Sequence, residues 1–251
     1  MSDCLDHFTT TASFVSCRSL FFMKIHKGNK IAIIWGVDGD FGRHLLERLL
    51  LNPAYHQVKI FSEQEINLDH EKLIKTNLSK IDIFNNSEII LGDDLFICPK
   101  KYSITSSKRT YYHQNFMLPT KIAKKGLENG INQVFCLSNQ AASEQSPLFQ
   151  MRVLGALEYE ILKMEFWSTH FFKPIFLTKN KTGQGVGGKL LDKFDQAINR
   201  ISKGAFHKIA PTSFSIISTA MITAAQELES GVFHHHSDSL KEQEPQTDKT
   251  K

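Results

Sequence analysis

Ile31-Ala32-Ile33-Ile34-Trp35-Gly36-Val37-Asp38-Gly39-Asp40-Phe41-Gly42 is the stretch that decides the fold of this chain. Its first five residues are apolar and rich in isoleucine, the composition of a short buried strand. Gly36, Gly39 and Gly42 follow at three-residue spacing. Behind them, Arg43-His44-Leu45-Leu46-Glu47-Arg48-Leu49-Leu50 gathers its leucines on one face at helical periodicity. A strand, a glycine turn and a helix N-terminus in succession form a dinucleotide-binding pattern. Glycine lets the backbone approach a pyrophosphate, while the helix's unpaired N–H groups and dipole favour the anion. The residues of this turn expected to hold cofactor are Gly36, Gly39, Asp40, Phe41 and Gly42. Asp38 and Asp40 work against it, because a like-charge contact at about 4 Å costs roughly 1–4 kcal/mol. The carboxylates must point outward or be offset, or binding is weakened.

The 251 residues, 41% hydrophobic and 22% charged, suffice for one substantial core. A net charge of +4 with dispersed lysines does not favour nucleic acid as a partner. No apolar run reaches membrane-spanning length, so no membrane association is expected. Cys4, Cys17, Cys98 and Cys136 lack metal-ligand spacing and read as reduced thiols of a cytoplasmic protein, two of them at the ends of core strands. Residues 1–27 fall outside the strand–helix pattern and are expected to be a poorly ordered extension. With Asp3 and Asp6 early and no basic start, they make a poor signal peptide, and Met23 is a second candidate start. Residues 237–251, polar and charged, are expected to be a disordered tail.

Between these ends, strands are expected at Val58–Phe61, Leu73–Leu78, Leu95–Cys98, Gln133–Leu137 and Phe171–Leu177. Helices are expected near 110–128, with Pro119 kinking it, and at 148–164. This alternation predicts an α/β fold: a Rossmann-like, doubly wound parallel sheet spanning residues 28–236. Helices at 189–201 and 213–228 and a short strand Val232-Phe233 are too few for a second domain. They are expected to form a small C-terminal cap, from about residue 180, over the substrate side.

The glycine loop, Asp94-Leu95-Phe96-Ile97-Cys98, and the helix carrying Asn115, Ala123 and Gly130 occur in a fixed order. Val134-Phe135-Cys136-Leu137-Ser138 with Ala141-Ala142, Val153-x-Gly155-x-x-Glu158 and Lys173-Pro174 continue it. Over roughly residues 30–240 the chain resembles the atypical short-chain dehydrogenases that include the Tat-interacting-protein oxidoreductase and its bacterial relatives. The resemblance implies an NAD(P)-binding protein, with hydride transfer at a carbonyl in intact members. It also implies a strand-end Ser-Ser pair and a Tyr-x-x-x-Lys, in which Tyr exchanges a proton, Lys lowers its pKa and Ser orients the substrate. In this register the pair is Ser138-Asn139, while Gln150 and Leu154 stand where Tyr and Lys belong. Neither Gln nor Leu transfers a proton. Ser138 is left as the single matching catalytic position, and Ser138 and Pro174 join the expected cofactor contacts.

Tyr159-Glu160-Ile161-Leu162-Lys163 repeats the Tyr-x-x-x-Lys pattern nine residues past Gln150. At about 100° per residue it faces the other side of the helix, so it reads as a chance match. After the second strand, where relatives carry arginines suited to NADP, this chain has Ser62-Glu63-Gln64. Glu63 suits a ribose diol, so of NAD(H) and NADP(H) the former is favoured. Lys100 and Lys101 are positioned to offset Asp38 and Asp40 near the pyrophosphate. Gly183 to Lys189 superficially fits a phosphate loop but continues with Leu190, which offers no hydroxyl to a metal. His234-His235-His236 alternate faces in a strand, and no metal site is expected there. The expected function is dinucleotide binding without standard catalysis, in a regulatory or protein-interacting role. The alternative is an active carbonyl oxidoreductase with Tyr102 or Tyr112 as proton donor.

Overall fold

A computed structural model describes residues 28–78, 90–100, 107–179 and 212–242. Its strands are β1 (Lys30–Trp35), β2 (Tyr55–Ser62), β3 (Leu73–Asn77), β4 (Asp94–Ile97), β5 (Gln133–Leu137), β6 (Ser168–Lys173), β7 (Leu177–Thr178), β8 (Thr212–Ser213) and β9 (Gly231–His236). Its helices are α1 (Asp40–Leu51), α2 (Lys108–Tyr112), α3 (Leu118–Glu128), α4 (Phe149–Lys163), α5 (Phe214–Glu227) and α6 (Ser237–Glu242), with a π turn at His113–Met117 joining α2 to α3. Seven strands form one sheet in the order β3-β2-β1-β4-β5-β6-β9. All six pairings are parallel, which makes the Rossmann-like α/β fold expected from the sequence. The order reverses between β1 and β4, and such a switch point opens a crevice beyond the strands' carboxyl ends.

The alternation within β1 sets the layers. Ala32 and Ile34 enter a core with Leu45, Leu46 and Leu49 of α1 and with Ile217 and Met221 of α5. Ile33 and Trp35 enter the opposite core with Ile122 of α3 and Leu157 and Ile161 of α4. Both faces are covered, so strand residues are apolar whichever way they point.

Four expectations are corrected here. Ser168, Thr169 and His170, polar yet buried, extend β6 backward because their backbone pairs with Gln133, Val134 and Phe135. Pro119 does not simply kink one helix. Lacking an N–H, it cannot bond to the carbonyl of Asn115, and the chain relaxes into the π turn just before it. The region from Thr212 onward is no cap over its described part. Phe214 packs edge-to-face on Phe41 at 5.5 Å, placing α5 beside α1, and β9 adds to β6 as the seventh strand. Finally, Ser237–Glu242 is a helix rather than disordered tail: Leu240 is fully buried and the Ser237 hydroxyl accepts from the Ile175 N–H at 3.0 Å. The extension 1–27, Cys4, Cys17, Lys101, Tyr102, the 183–189 loop, the 189–201 helix and residues 243–251 lie outside the described residues.

Candidate dinucleotide site

The turn after β1 is shaped by two close backbone approaches. Gly36 has φ +93°, and a Cβ there would lie 1.9 Å from the Cys98 carbonyl oxygen. At Gly42, in the first turn of α1, a Cβ would lie 2.1 Å from the Gly36 carbonyl oxygen. Only glycine satisfies either position. Gly39 is less constrained: its Cβ would meet Gly36 oxygen at 3.3 Å, and its N–H donates to that carbonyl at 3.0 Å. Gly39 is also the N-cap of α1, so no side chain caps the helix and its first-turn N–H groups, at Asp40, Phe41 and Gly42, are open to an anion. The Phe41 side chain turns into the core, leaving its backbone to the loop.

The two troublesome carboxylates are both paired. Lys100, just beyond β4, holds Asp38, and the pair is largely buried. Lys179, just beyond β7, reaches Asp40 at 2.8 Å in an exposed pair. The loop therefore meets a ligand with its negative charges partly offset. The Lys100 partnership was legible from the sequence. That of Lys179 was not, because only the return of the chain past β6 brings it to α1.

Across the crevice, the π turn delivers His113 and Gln114, which sequence reasoning did not single out, together with Asn115, which it did. The Leu118 N–H bonds to His113 instead of Gln114, which frees the Gln114 carbonyl to accept from Trp35 Nε1 at 2.9 Å. The Gln114 amide nitrogen donates to Glu63 Oε2 at 2.8 Å, and its oxygen lies 3.4 Å from Lys100 Nζ. His113 Nδ1 stands 3.9 Å from Glu63 Oε1. Asn115, fully buried, accepts from the Lys100 N–H at 2.6 Å and donates to the Tyr111 carbonyl at 3.0 Å. The available signal was Pro119, four residues after Asn115. A cleft of about 160 Å³ opens beside Glu63, lined by Ser62, Gln64, Glu65, Thr76 and Asn77.

Beyond β5, the Ser138 hydroxyl donates to Glu158 of α4, and Lys173 Nζ donates to the other Glu158 oxygen at 2.8 Å. Ser138 is buried and committed to this cluster. Asn139 donates to the carbonyls of Pro174 and Ile175 at 3.1 and 3.0 Å, pinning the β6 exit. Gly155 lets the 139–148 loop rest on α4, since a Cβ would lie 2.3 Å from the Ser143 carbonyl carbon. The Gly-x-x-Glu pattern is thus explained by packing and charge. Gln150 and Leu154 lie on α4, with Leu154 buried. Tyr159 is 48% exposed, and Lys163 Nζ sits over its ring at 5.0 Å while pairing with Glu160 at 3.1 Å. That motif belongs to the outer face of α4. Tyr112 is half-exposed and packs at a tilt against Phe116, ring centroids 4.8 Å apart, whereas burial pushes the Tyr111 hydroxyl up to about 12.

Other polar groups are structural. Lys30 and Asp94, both fully buried, pair at 2.5 Å at the amino end of the sheet, where Tyr55 and Gln133 also donate to Asp94 at 2.6 and 2.8 Å. Burial pushes the Asp94 carboxyl up to about 6 against the pull of Lys30. His170 meets His235 at 2.9 Å between Phe135 and Phe233, and burial lowers these imidazoles to about 3 and about 4. Cys98 and Cys136 are free and buried, and burial raises both thiols. No metal-binding cluster of His, Cys, Asp or Glu occurs among the described residues, and no described helix is long and apolar enough to cross a membrane.

No family model matches the chain. It is 24% identical over 207 residues to Protein FMP52, mitochondrial, of Candida albicans, covering 77% of this chain and 87% of that one. Among solved structures it resembles the Bordetella bronchiseptica enzyme WbmH in complex with NAD+, at TM-score 0.59 and 14% identity over 85% of this chain and 78% of that one. It also resembles MoeE5 in complex with UDP-glucose and NAD, at TM-score 0.57 and 16% identity over 82% and 75%. These likenesses, with the strand order above, establish for this chain the Rossmann-like α/β fold.

Proposed function

We propose that this chain binds a nicotinamide dinucleotide, NAD(H) in preference to NADP(H), as a protein of the atypical short-chain dehydrogenase type without the standard Tyr/Lys proton transfer. The observation that carries the reading is the pair of close approaches at Gly36 and Gly42, where any Cβ would fill the space against backbone. Such a cradle brings bare backbone up to the crevice and sets an uncapped helix N-terminus against it. The loop amides from Gly39 to Gly42 would hold the pyrophosphate, Glu63 the adenosine ribose, and Ser138 and Pro174 would flank the nicotinamide half. Lys100 and Lys179 offset the carboxylates beneath the phosphates. A bound nicotinamide supplies hydride transfer. Gln150 and Leu154 supply no proton to match it, which supports a role in dinucleotide sensing or in binding a protein partner.

NADH and NADPH titrations by nucleotide fluorescence and thermal shift test this reading. Saturable NADH binding is expected, and the absence of any shift at millimolar cofactor would overturn it. The half-exposed phenol of Tyr112, two residues from Gln114, favours one second reading, a carbonyl oxidoreductase with that residue as proton donor. NADH-dependent turnover of an aldehyde panel, lost in Tyr112→Phe, would support it. The cytoplasmic location forms part of the proposal. Cell fractionation checks it, and recovery with mitochondria would overturn it.

A further inference from the structure

Glu63 and Lys100 follow β2 and β4, on opposite sides of the end of β1, and one side chain spans them. The Gln114 amide nitrogen donates to Glu63 Oε2 at 2.8 Å, and its oxygen lies 3.4 Å from Lys100 Nζ, which in turn holds Asp38. Each end of the amide answers a charge. The flipped orientation would set NH₂ against an ammonium and C=O against a carboxylate, so the side chain has one favourable state. The backbone beneath is held as well, through the Trp35 bond to the Gln114 carbonyl and through buried Asn115. Gln114 therefore has little freedom, and the Glu63 carboxylate it grips has little more.

We propose that Gln114 is a specificity-determining positioning residue: it pins Glu63 at the end of β2, where a ribose 2′-hydroxyl is accepted and a 2′-phosphate is repelled. The inference rests on the dinucleotide reading of the glycine loop. A carboxylate has about four acceptor positions, enough to accept a hydroxyl alongside the amide. A 2′-phosphate brings about −1.5 to −2 charges and three acceptor oxygens, with no donor for the carboxylate. Without the amide's hydrogen bond, and with His113 Nδ1 at 3.9 Å from its Oε1, the glutamate gains freedom to swing toward solvent and relieve that repulsion. A pinned one does not, so discrimination depends on the amide as well as on the acid.

Dissociation constants of NADH and NADPH, measured on the purified full chain by nucleotide fluorescence, test the proposal in wild type, Gln114→Leu, Glu63→Gln and the double variant. Wild type is expected to favour NADH by about fivefold or more, the factor that one screened charge repulsion supplies. Gln114→Leu narrows that ratio toward unity, chiefly by tighter NADPH binding. In the Glu63→Gln background the same change has no further effect, because no charge remains to be positioned. Should the leucine variant fail to fold, Gln114→Asn, a methylene too short to reach Glu63, gives the same narrowing. Equal weakening of both cofactors or an unchanged ratio would overturn the inference while leaving the dinucleotide reading in place, and a wild-type preference for NADPH would overturn the inference together with the proposed NAD(H) preference. Failure of wild type to bind either cofactor would overturn that reading, and the inference with it.

Discussion

Replacing Gly42 by alanine tests the glycine cradle most directly. The new Cβ would lie 2.1 Å from the Gly36 carbonyl oxygen, 2.7 Å from its carbon and 3.1 Å from the Val37 Cα, all backbone atoms. Ordinary contact needs about 3.5 Å, so the start of α1 must retreat from the turn by roughly 1 Å. Overpacking of this kind costs about 1–3 kcal/mol. In a chain of this size that lowers Tm by roughly 2–12 °C, at about 2–4 °C per kcal/mol. The effect on ligand is larger, because the first-turn N–H groups move with the helix. Hydrogen bonds to a charged group contribute about 1.5–3 kcal/mol each, so losing two weakens NADH binding about a hundredfold or more. Gly39→Ala is the control: its Cβ meets Gly36 oxygen at 3.3 Å and otherwise the flexible Lys100 side chain at 3.5 Å, so small changes are expected. Differential scanning fluorimetry and NADH titration on both variants read the outcome. A Gly42→Ala protein with wild-type Tm and wild-type affinity would refute the reasoning.

Asp94→Asn leaves the Lys30 ammonium buried without its counter-charge and should cost about 3–5 kcal/mol, whereas Lys30→Met with Asp94→Asn should regain much of it; chemical denaturation of the three proteins checks this. Stability should fall as pH drops from about 6.5 toward 4, because the unfolded chain then takes up protons that the depressed His170 and His235 refuse in the fold. His170 alone contributes at most about 2 kcal/mol of this between pH 6.5 and 5, and raised Asp94 opposes it with a smaller shift. Tm measured against pH should show a shallower acid limb in His170→Phe than in wild type; identical limbs would count against the assignment. Tyr159→Phe should leave Tm and NADH affinity at wild-type values, since that phenol lies on the outer face of α4.

How much of this was legible follows from the range of each signal. The β1–turn–α1 unit was read almost to the residue, because strand alternation, glycine spacing and helical leucines are all local. β5 and α4 were legible for the same reason. β9 was seen as two residues because Gly231 and three histidines carry little strand preference; pairing along the whole of β6 makes it six. The polar segment after residue 236 was read as tail because one leucine is a weak signal, yet Leu240 finds a buried site.

The sequence by itself determined that this chain builds a parallel sheet covered on both faces and that its first turn is a glycine cradle. Those features depend on residue type and short-range spacing. The tertiary structure alone decided which charges meet. Gln114 reaches Glu63 across 51 residues of sequence, Ser138 is held by Glu158, and Lys179 returns to Asp40. The physical reason is the range of the forces involved. Backbone preferences act over a few residues, whereas charges and hydrogen bonds act between whatever groups the sheet order and a π turn bring together.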